Sequence, residues 1–449
     1  MRYDNRMKRV LIILFCGWLC GGLLLIGGMI DAQARTAVGY KVKAVCSEVF
    51  VAGRTLDTVL ERDFERIHPL MDRVGVTVDP SSGRVNGSLF GVFGRSEAVH
   101  RSNLGCALSV KGSPVSPDFI KPEPVPSNWA VAIDPDIQAL VETARQSEGA
   151  DIRAVVVVQE GRIVAEDYAI GFGPDRPMQS WSMAKSVTQS LTMIAAEQGY
   201  LSLSDRELMP GWTGDDPRAD ITVQNLLQMT DGLHFVEDYA DPSSDVVRML
   251  FNSRAMGASA AQSPSAHQPG THWAYSSGTS NILSAVLRRA VEDAGETYHA
   301  WPHEVLFGAL GMETAVFETD ADGTFIGSSY LYASPRDWAR LGQLYLNGGI
   351  WNGRPILPES AVTVAQTPAL PGTHDFYGSH WWINTDIPDL GKRLPGLPET
   401  AYYMGGHDVQ RVIVIPSKNA VIVRLGMTRP PIEDEHDVGP AFAAIYDAL

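Results

Sequence analysis

Ser182 stands three residues ahead of Lys185 in the stretch "QSWSMAKSVTQSL", and an apolar run follows both. If this stretch opens a helix, positions i and i+3 share a face and bring hydroxyl and amine together one turn apart. A lysine desolvated in a cleft holds its proton weakly and can take one from a serine hydroxyl. Ser182 is then a nucleophile and Lys185 its base. The same spacing suits an ordinary helix start, with Ser182 as N-cap and Lys185 in water, so the pair alone decides nothing.

Two later stretches offer the missing parts. "HWAYSSGTSNILSAVLRRAV" puts Tyr275 in a turn just ahead of a helical segment, where a phenol can pass protons between a lysine and a leaving group. Ser277, two places on, can reach the same cleft. In "YYMGGHDVQRVIVIP", Gly405 and Gly406 admit close approach of another backbone, and Gln410 opens a strand run. The backbone N–H groups of Ser182 and Gln410 are the expected donors to an oxyanion. Asp231, Glu237 and Asp238 follow a helical segment and either line the cleft entrance or stand as solvated loop acids. Trp381 and Trp382 offer either a pocket wall or strand core; Trp382 is the one assigned to the pocket.

These residues need a frame. "DPDIQALVETARQS" predicts an amphipathic helix opened by Asp134 and Pro135. "IRAVVVVQEGRIVAEDYA" predicts a hairpin about Glu160-Gly161, "QRVIVIPSKNAVIVRLG" a second one, and "PAFAAIYDAL" a closing helix. Strands at both ends of residues 130–449, with helices between, predict one antiparallel sheet built from both ends of the domain, flanked by helices and carrying a helical insert. That is an α+β catalytic domain. Residues 36–112 read as a small accessory module, mixing strand-like stretches ("KVKAVCSEVFVAG", "GSLFGVFG") with the helical "LDTVLERDFERIHPLM". The proline-rich residues 113–129 read as an extended linker. No internal repeat or low-complexity tract is present.

The net charge is −16, and residues 1–35 carry a local +3, so the body is more acidic still. Such a body is a poor partner for nucleic acid, whose binding rests on phosphate neutralisation by Lys and Arg. Arg2, Arg6, Lys8 and Arg9 precede an uncharged run over residues 10–30. As a helix it spans roughly 31 Å at about 1.5 Å per residue, which predicts a transmembrane helix within residues 1–35. Its flanking charge predicts anchoring in a bacterial inner membrane with the body periplasmic. The "AQA" at 32–34 keeps a cleaved signal segment and secretion as the alternative. In that oxidising compartment Cys46 and Cys106, the two cysteines outside the apolar run, are expected to pair. No CxxC or HExxH spacing occurs, and neither metal nor cofactor is expected.

The order SxxK, then Tyr-Ser-Ser before a helix, then a Gly-rich entry to a late strand resembles the serine β-lactamase and penicillin-binding-protein superfamily. The class C-like branch is the most similar, with its esterases, D-aminopeptidases and 6-aminohexanoate-dimer hydrolases. "ITVQNLLQMTDGLHF", "SPRDWARLGQLYLNGG" and "WNGRPILP" resemble it too. The resemblance implies Ser182 as the acylated nucleophile, Lys185 as general base and Tyr275 as proton relay. Ser277 stands where other members carry Asn, and the stretch from Gly406 to Gln410 lies at the place of Lys-Thr-Gly, offering His407, Asp408 and Val409 there. The implied activity is hydrolysis of a small amide or ester through an acyl-enzyme. An Asp408 carboxylate facing the site would repel a substrate carboxylate by about 1 kcal/mol at about 4 Å in water. A β-lactamase or D-Ala-D-Ala-type peptidase, and a non-catalytic ligand-binding protein of the same fold, are the alternatives.

Overall fold

The computed structural model describes residues 31, 33–117, 119–125, 129–429 and 435–449. The first described elements are helix α1 over residues 33–50 and α2, Leu56–Arg62. Four strands follow as an antiparallel meander: β1 Val74–Asp79, β2 Arg84–Leu89, β3 Phe93–Arg101 and β4 Gly105–Leu108. The strand expected in "KVKAVCSEVFVAG" is the second half of α1. Its β-branched residues suggest a strand, but Val38, Val42 and Val45 recur at helical spacing and are fully buried. They lie over β2 at Gly87, where an added Cβ would stand 2.5 Å from Val42. A disulfide joins Cys46 of α1 to Cys106 of β4.

The main sheet has six strands in the order β12-β13-β14-β15-β5-β6, every neighbour antiparallel. The first hairpin supplies β5 (Ile152–Gln159) and β6 (Arg162–Tyr168), after helix α3, Pro135–Arg145. The last third supplies β12 (Trp382–Ile383), β13 (Tyr402–Gly406), β14 (Gln410–Ile415) and β15 (Ala420–Gly426), before α12, Glu435–Ala448. Both ends of the domain thus meet where β15 pairs with β5. Strands β14 and β15 are buried along their whole length, so both sheet faces are covered. Alternate residues split accordingly. Val156, Val158, Val412, Val414, Val421 and Val423 join one apolar core, and Val155, Val157, Ile413, Ile415 and Ile422 join the other.

Between the hairpins lie the short strands β7 Met178–Gln179, β8 Val316–Phe317 and β9 Leu331–Ala333, which form a small sheet of their own, and the pair β10 Ile350–Trp351 and β11 Arg354–Pro355. The helical part comprises α4 Ala184–Glu197, α5 Val223–Gln228, α6 Asp245–Asn252, α7 Met256–Ala260, α8 Ser277–Asp293, α9 Gly308–Leu310, α10 Pro335–Leu346 and α11 Glu359–Gln366. Helix α4 is buried from Ala184 to Ala195.

The N-terminal module shares a continuous apolar core with α4 and α8. Buried charges add to the contact. Arg54 and Arg153 both reach Asp63, and Lys43 pairs with Glu318 just beyond β8. The linker is tied down as well: Val115 N–H donates to Ala321 at 3.0 Å and Trp129 Nε1 to Gly161 at 2.7 Å.

One expectation is corrected. Among the described residues no helix is long and apolar enough to cross a membrane. The apolar run over 10–30 lies outside the described residues. No described helix supports the transmembrane expectation, and it is withdrawn together with the membrane partner, inner-membrane location and periplasmic body that depended on it. Arg35, the one basic residue of that segment described, pairs with Asp31.

Candidate active site

Ser182 is positioned by a kink. Ser180 is fastened to β9, its N–H donating to Leu331 at 2.9 Å. Trp181 then takes a left-handed backbone conformation with φ 46°, rare for a bulky residue. Strain of this kind costs on the order of 1–3 kcal/mol and persists only where surroundings enforce it. Here the indole is buried between Tyr330, at 5.9 Å, and His407, at 5.5 Å between ring centres. The kink sets Ser182 two residues before the buried helix α4, in a short 3-10 turn. Free N–H groups there favour negative charge.

Lys185, on the first turn of α4, is 1% exposed. Its Nζ lies 3.1 Å from Ser182 Oγ, 3.0 Å from Ser277 Oγ and 3.0 Å from the Ser328 carbonyl. Burial pulls its pKa down to about 8, with the Glu237 charge opposing the fall. Ser277 is fully buried at the start of α8, which Ser276 caps. Its hydroxyl donates to Glu237 at 2.5 Å and its N–H to the other oxygen of that carboxylate at 2.8 Å.

Tyr275 stands immediately before α8. Its ring lies 4.8 Å from Lys185 Nζ. Burial and the Glu237 charge raise its pKa, and interaction with the Ser182 side chain opposes that rise. The phenol is a neutral donor at rest, not an acidified one. Trp382 stacks on it at 5.5 Å, and Tyr377 meets it edge-on at 6.1 Å. Trp382 therefore touches the candidate relay directly, whereas Trp381 is fully buried against Tyr345 and Tyr402.

The β13–β14 turn forms the opposite wall. An added Cβ on Gly406 would lie 2.3 Å from the Ser180 carbonyl, so only glycine lets this strand approach the loop that carries Ser182. The Gln410 N–H, expected at the oxyanion, is spent on the His407 carbonyl within the turn, and its side chain is bound to Gly426. Strand β12 pairs with Tyr402 and Tyr403 alone, which leaves the outer edge of β13 at Met404–Gly406 without a strand partner. His407 is exposed and stacks on Tyr239 at 5.6 Å. Asp408, by contrast, is buried: its side chain is 2% exposed, and Oδ1 lies 3.4 Å from both Arg429 Nε and His407 Nε2. Asp231 is buried too: it accepts from Thr279 at 2.5 Å and from Leu233 N–H at 2.8 Å, tying its loop to α8. Asp238 accepts from the Ala240 N–H at 2.9 Å within an exposed loop.

Two contributors escaped the sequence reading, and a third was named there with its role open. Glu237, read as either a cleft acid or a solvated one, contacts Ser277 across 40 residues of chain. Tyr239 adds a hydroxyl 3.2 Å from Glu237. His380 is buried between helices: Nδ1 donates to Leu227 at 2.7 Å, and Nε2 accepts from Ser280 at 2.9 Å. Burial lowers its pKa to about 3, so it stays neutral and structural. No local pattern marks any of these, because each partner comes from a distant element. Among the described residues no three His, Cys, Asp or Glu side chains converge as a metal site needs.

A family model described as Beta-lactamase matches residues 137–445. The 6-aminohexanoate-dimer hydrolase of Paenarthrobacter ureafaciens is 23% identical over 53% of this chain, and the match spans 62% of that relative's length. Among solved structures, a Bacillus anthracis protein proposed to be a 6-aminohexanoate-dimer hydrolase superposes with TM-score 0.58 at 20% identity, covering 72% of this chain and 87% of that one. A penicillin-binding-protein homologue from Caulobacter crescentus gives TM-score 0.54 at 17% identity, covering 71% and 99%. At such identities the superpositions establish the fold alone.

Proposed function

Because this chain belongs to the beta-lactamase family, a superfamily of hydrolases, we propose that it cleaves a small amide or ester through an acyl-enzyme on Ser182. The observation that carries this reading is the Lys185 amine, buried, 3.1 Å from Ser182 Oγ and lowered to about 8. In water such an amine is protonated and useless as a base at neutral pH; here a useful fraction is neutral. Ser182 Oγ attacks the acyl carbonyl as its proton passes to Lys185. The oxyanion takes hydrogen bonds from the Ser182 N–H and from the unpaired outer edge of β13 at Met404–Gly406. Tyr275, a neutral phenol, gives its proton to the leaving amine or alkoxide and recovers one from Lys185. Water then repeats the attack, with the same two groups accepting and returning its proton.

The buried Asp408 removes the reason to expect rejection of substrate carboxylates at the β13–β14 turn. The assay panel should accordingly include charged and uncharged acyl donors. Intact-mass spectrometry after a fluorophosphonate should give one adduct, lost in Ser182→Ala. Turnover of p-nitrophenyl esters or 6-aminohexanoate dimer should accompany it. A folded protein that forms no adduct and turns over none of these is a binding protein, and the enzymatic reading fails.

A further inference from the structure

The bonds around Lys185 have a direction. A neutral amine has two N–H bonds and one electron pair, and only the electron pair can receive the Ser182 proton. The Ser328 carbonyl, 3.0 Å away, can only accept, so it takes one N–H. The Ser277 hydroxyl, 3.0 Å away, could either accept from the amine or donate to it. A donating Ser277 would occupy the electron pair that Ser182 needs. Glu237 removes that choice. Its carboxylate only accepts, and it takes the single Ser277 hydroxyl hydrogen at 2.5 Å while holding the Ser277 N–H at 2.8 Å. The second N–H of Lys185 must then go to Ser277, and the remaining direction of the nitrogen is toward Ser182, at 3.1 Å.

We propose that Glu237 is a positioning residue that fixes the polarity of the Ser277 hydroxyl and thereby aims the electron pair of Lys185 at Ser182. This rests on the serine-hydrolase reading above and adds to it a residue that touches neither nucleophile nor base. Glu237 is also an electrostatic neighbour: its charge holds the Lys185 proton more tightly than burial alone would. Other titratable side chains around this set are Tyr275, whose ring Lys185 approaches, the neutral His380, and Tyr239, whose hydroxyl lies 3.2 Å from Glu237 and 3.4 Å from Ser277 Oγ.

The test is a double-mutant cycle on the rate of Ser182 acylation by a fluorophosphonate, measured across pH in Glu237→Gln, Ser277→Ala and the double variant. Above the acid limb each single variant should acylate about 10–100-fold more slowly, as expected for a misaimed base. The double variant should be no slower than Ser277→Ala, because Glu237 acts through that hydroxyl. The acid limb of Glu237→Gln should also move to lower pH. Full additivity with an unmoved limb would overturn the proposal and leave Glu237 as a loop staple. Circular dichroism separates unfolding from either outcome, and Ser277→Ala supplies a second route if Glu237→Gln fails to fold. Failure of the wild-type protein to acylate would instead sink the underlying reading.

Discussion

Among the described residues two lysine–serine–glutamate sets hold a buried lysine, and they differ in one contact. In the N-terminal module Lys43 donates to Ser47 at 2.9 Å, Ser47 donates to Glu318 at 2.8 Å, and Glu318 also pairs directly with Lys43. In the cleft Lys185 donates to Ser277 and Ser277 to Glu237, but the glutamate reaches the lysine only through the serine. The first set is closed. Lys43 spends its hydrogens on Ser47 and Glu318 and lies 3.9 Å over the Tyr330 ring, while Glu318 also accepts from the Cys106 N–H at 2.6 Å. The second set is open at Ser182. Burial lowers the pKa of both lysines. Burial by itself therefore does not single out a base; what sets Lys185 apart is that no carboxylate pairs with it directly and one of its contacts is Ser182.

The sharpest way to break the contrast is to remove each amine in turn. Lys185→Met should cut turnover by about 10³-fold, near 4 kcal/mol in the barrier, as loss of a positioned general base does. The same change should not lower the melting temperature at neutral pH. Lys185 titrates near 8 in the folded chain against an ordinary 10.5, so the folded state binds fewer protons than the unfolded one between those values. Stability from this group therefore rises with pH across that window, and below it the fold carries the full cost of holding a buried ammonium. Methionine carries none of it. A melting temperature that falls by several degrees would mean Lys185 is structural.

Lys43→Met should do the reverse. It strands Glu318, whose side chain is fully buried, without its cation. Removing one partner of such a pair costs about 3–5 kcal/mol, readable as a lower denaturant midpoint. Lys43→Met with Glu318→Leu should recover most of it, while the folded fraction keeps its acylation rate. If Lys43→Met abolished acylation in folded protein, the two sets would not be separable in function. The module would then have to act on the nucleophile through Tyr330 and Trp181.

What could be read beforehand follows from how local each feature is. The Ser182–Lys185 juxtaposition is one helical turn, and the hairpins of β5–β6 and β14–β15 are runs of β-branched residues around short turns, so their spacing carries them. Helix α1 misleads for the same local reason, since its valines favour strand until the helical spacing of their burial is seen. The Asp408 orientation hangs on φ angles of 58° and 61° at Asp408 and Val409, which turn the carboxylate toward Arg429. Nothing in "GHDVQ" announces two consecutive left-handed non-glycine residues. Nor could the Gln410 N–H be seen as spent before the turn that spends it. Glu237 is the extreme case: three neighbouring loop acids look alike in the chain, and only the packing of that loop on the start of α8 distinguishes one of them.

The smallest predicted effect tests the open set in the intact protein. If Ser182 is deprotonated by neutral Lys185, kcat/KM should rise about tenfold per pH unit below about 8 and level off above it, since only the unprotonated amine is competent. Activity at pH 7 is then about one tenth of the plateau. The position of the limb is specific: a carboxylate base with an ordinary pKa would have reached its plateau by pH 7, and a histidine would be about three-quarters of the way to it. His380 cannot supply this limb, because burial holds its pKa near 3. Tyr275 cannot either, because burial and the Glu237 charge raise it above its ordinary value, so its loss of a proton would appear as a falling limb at the alkaline end. A profile already flat at pH 6 would mean that the amine near Ser182 is not the group that takes its proton, and the distinction between the open and closed sets would lose its chemical meaning.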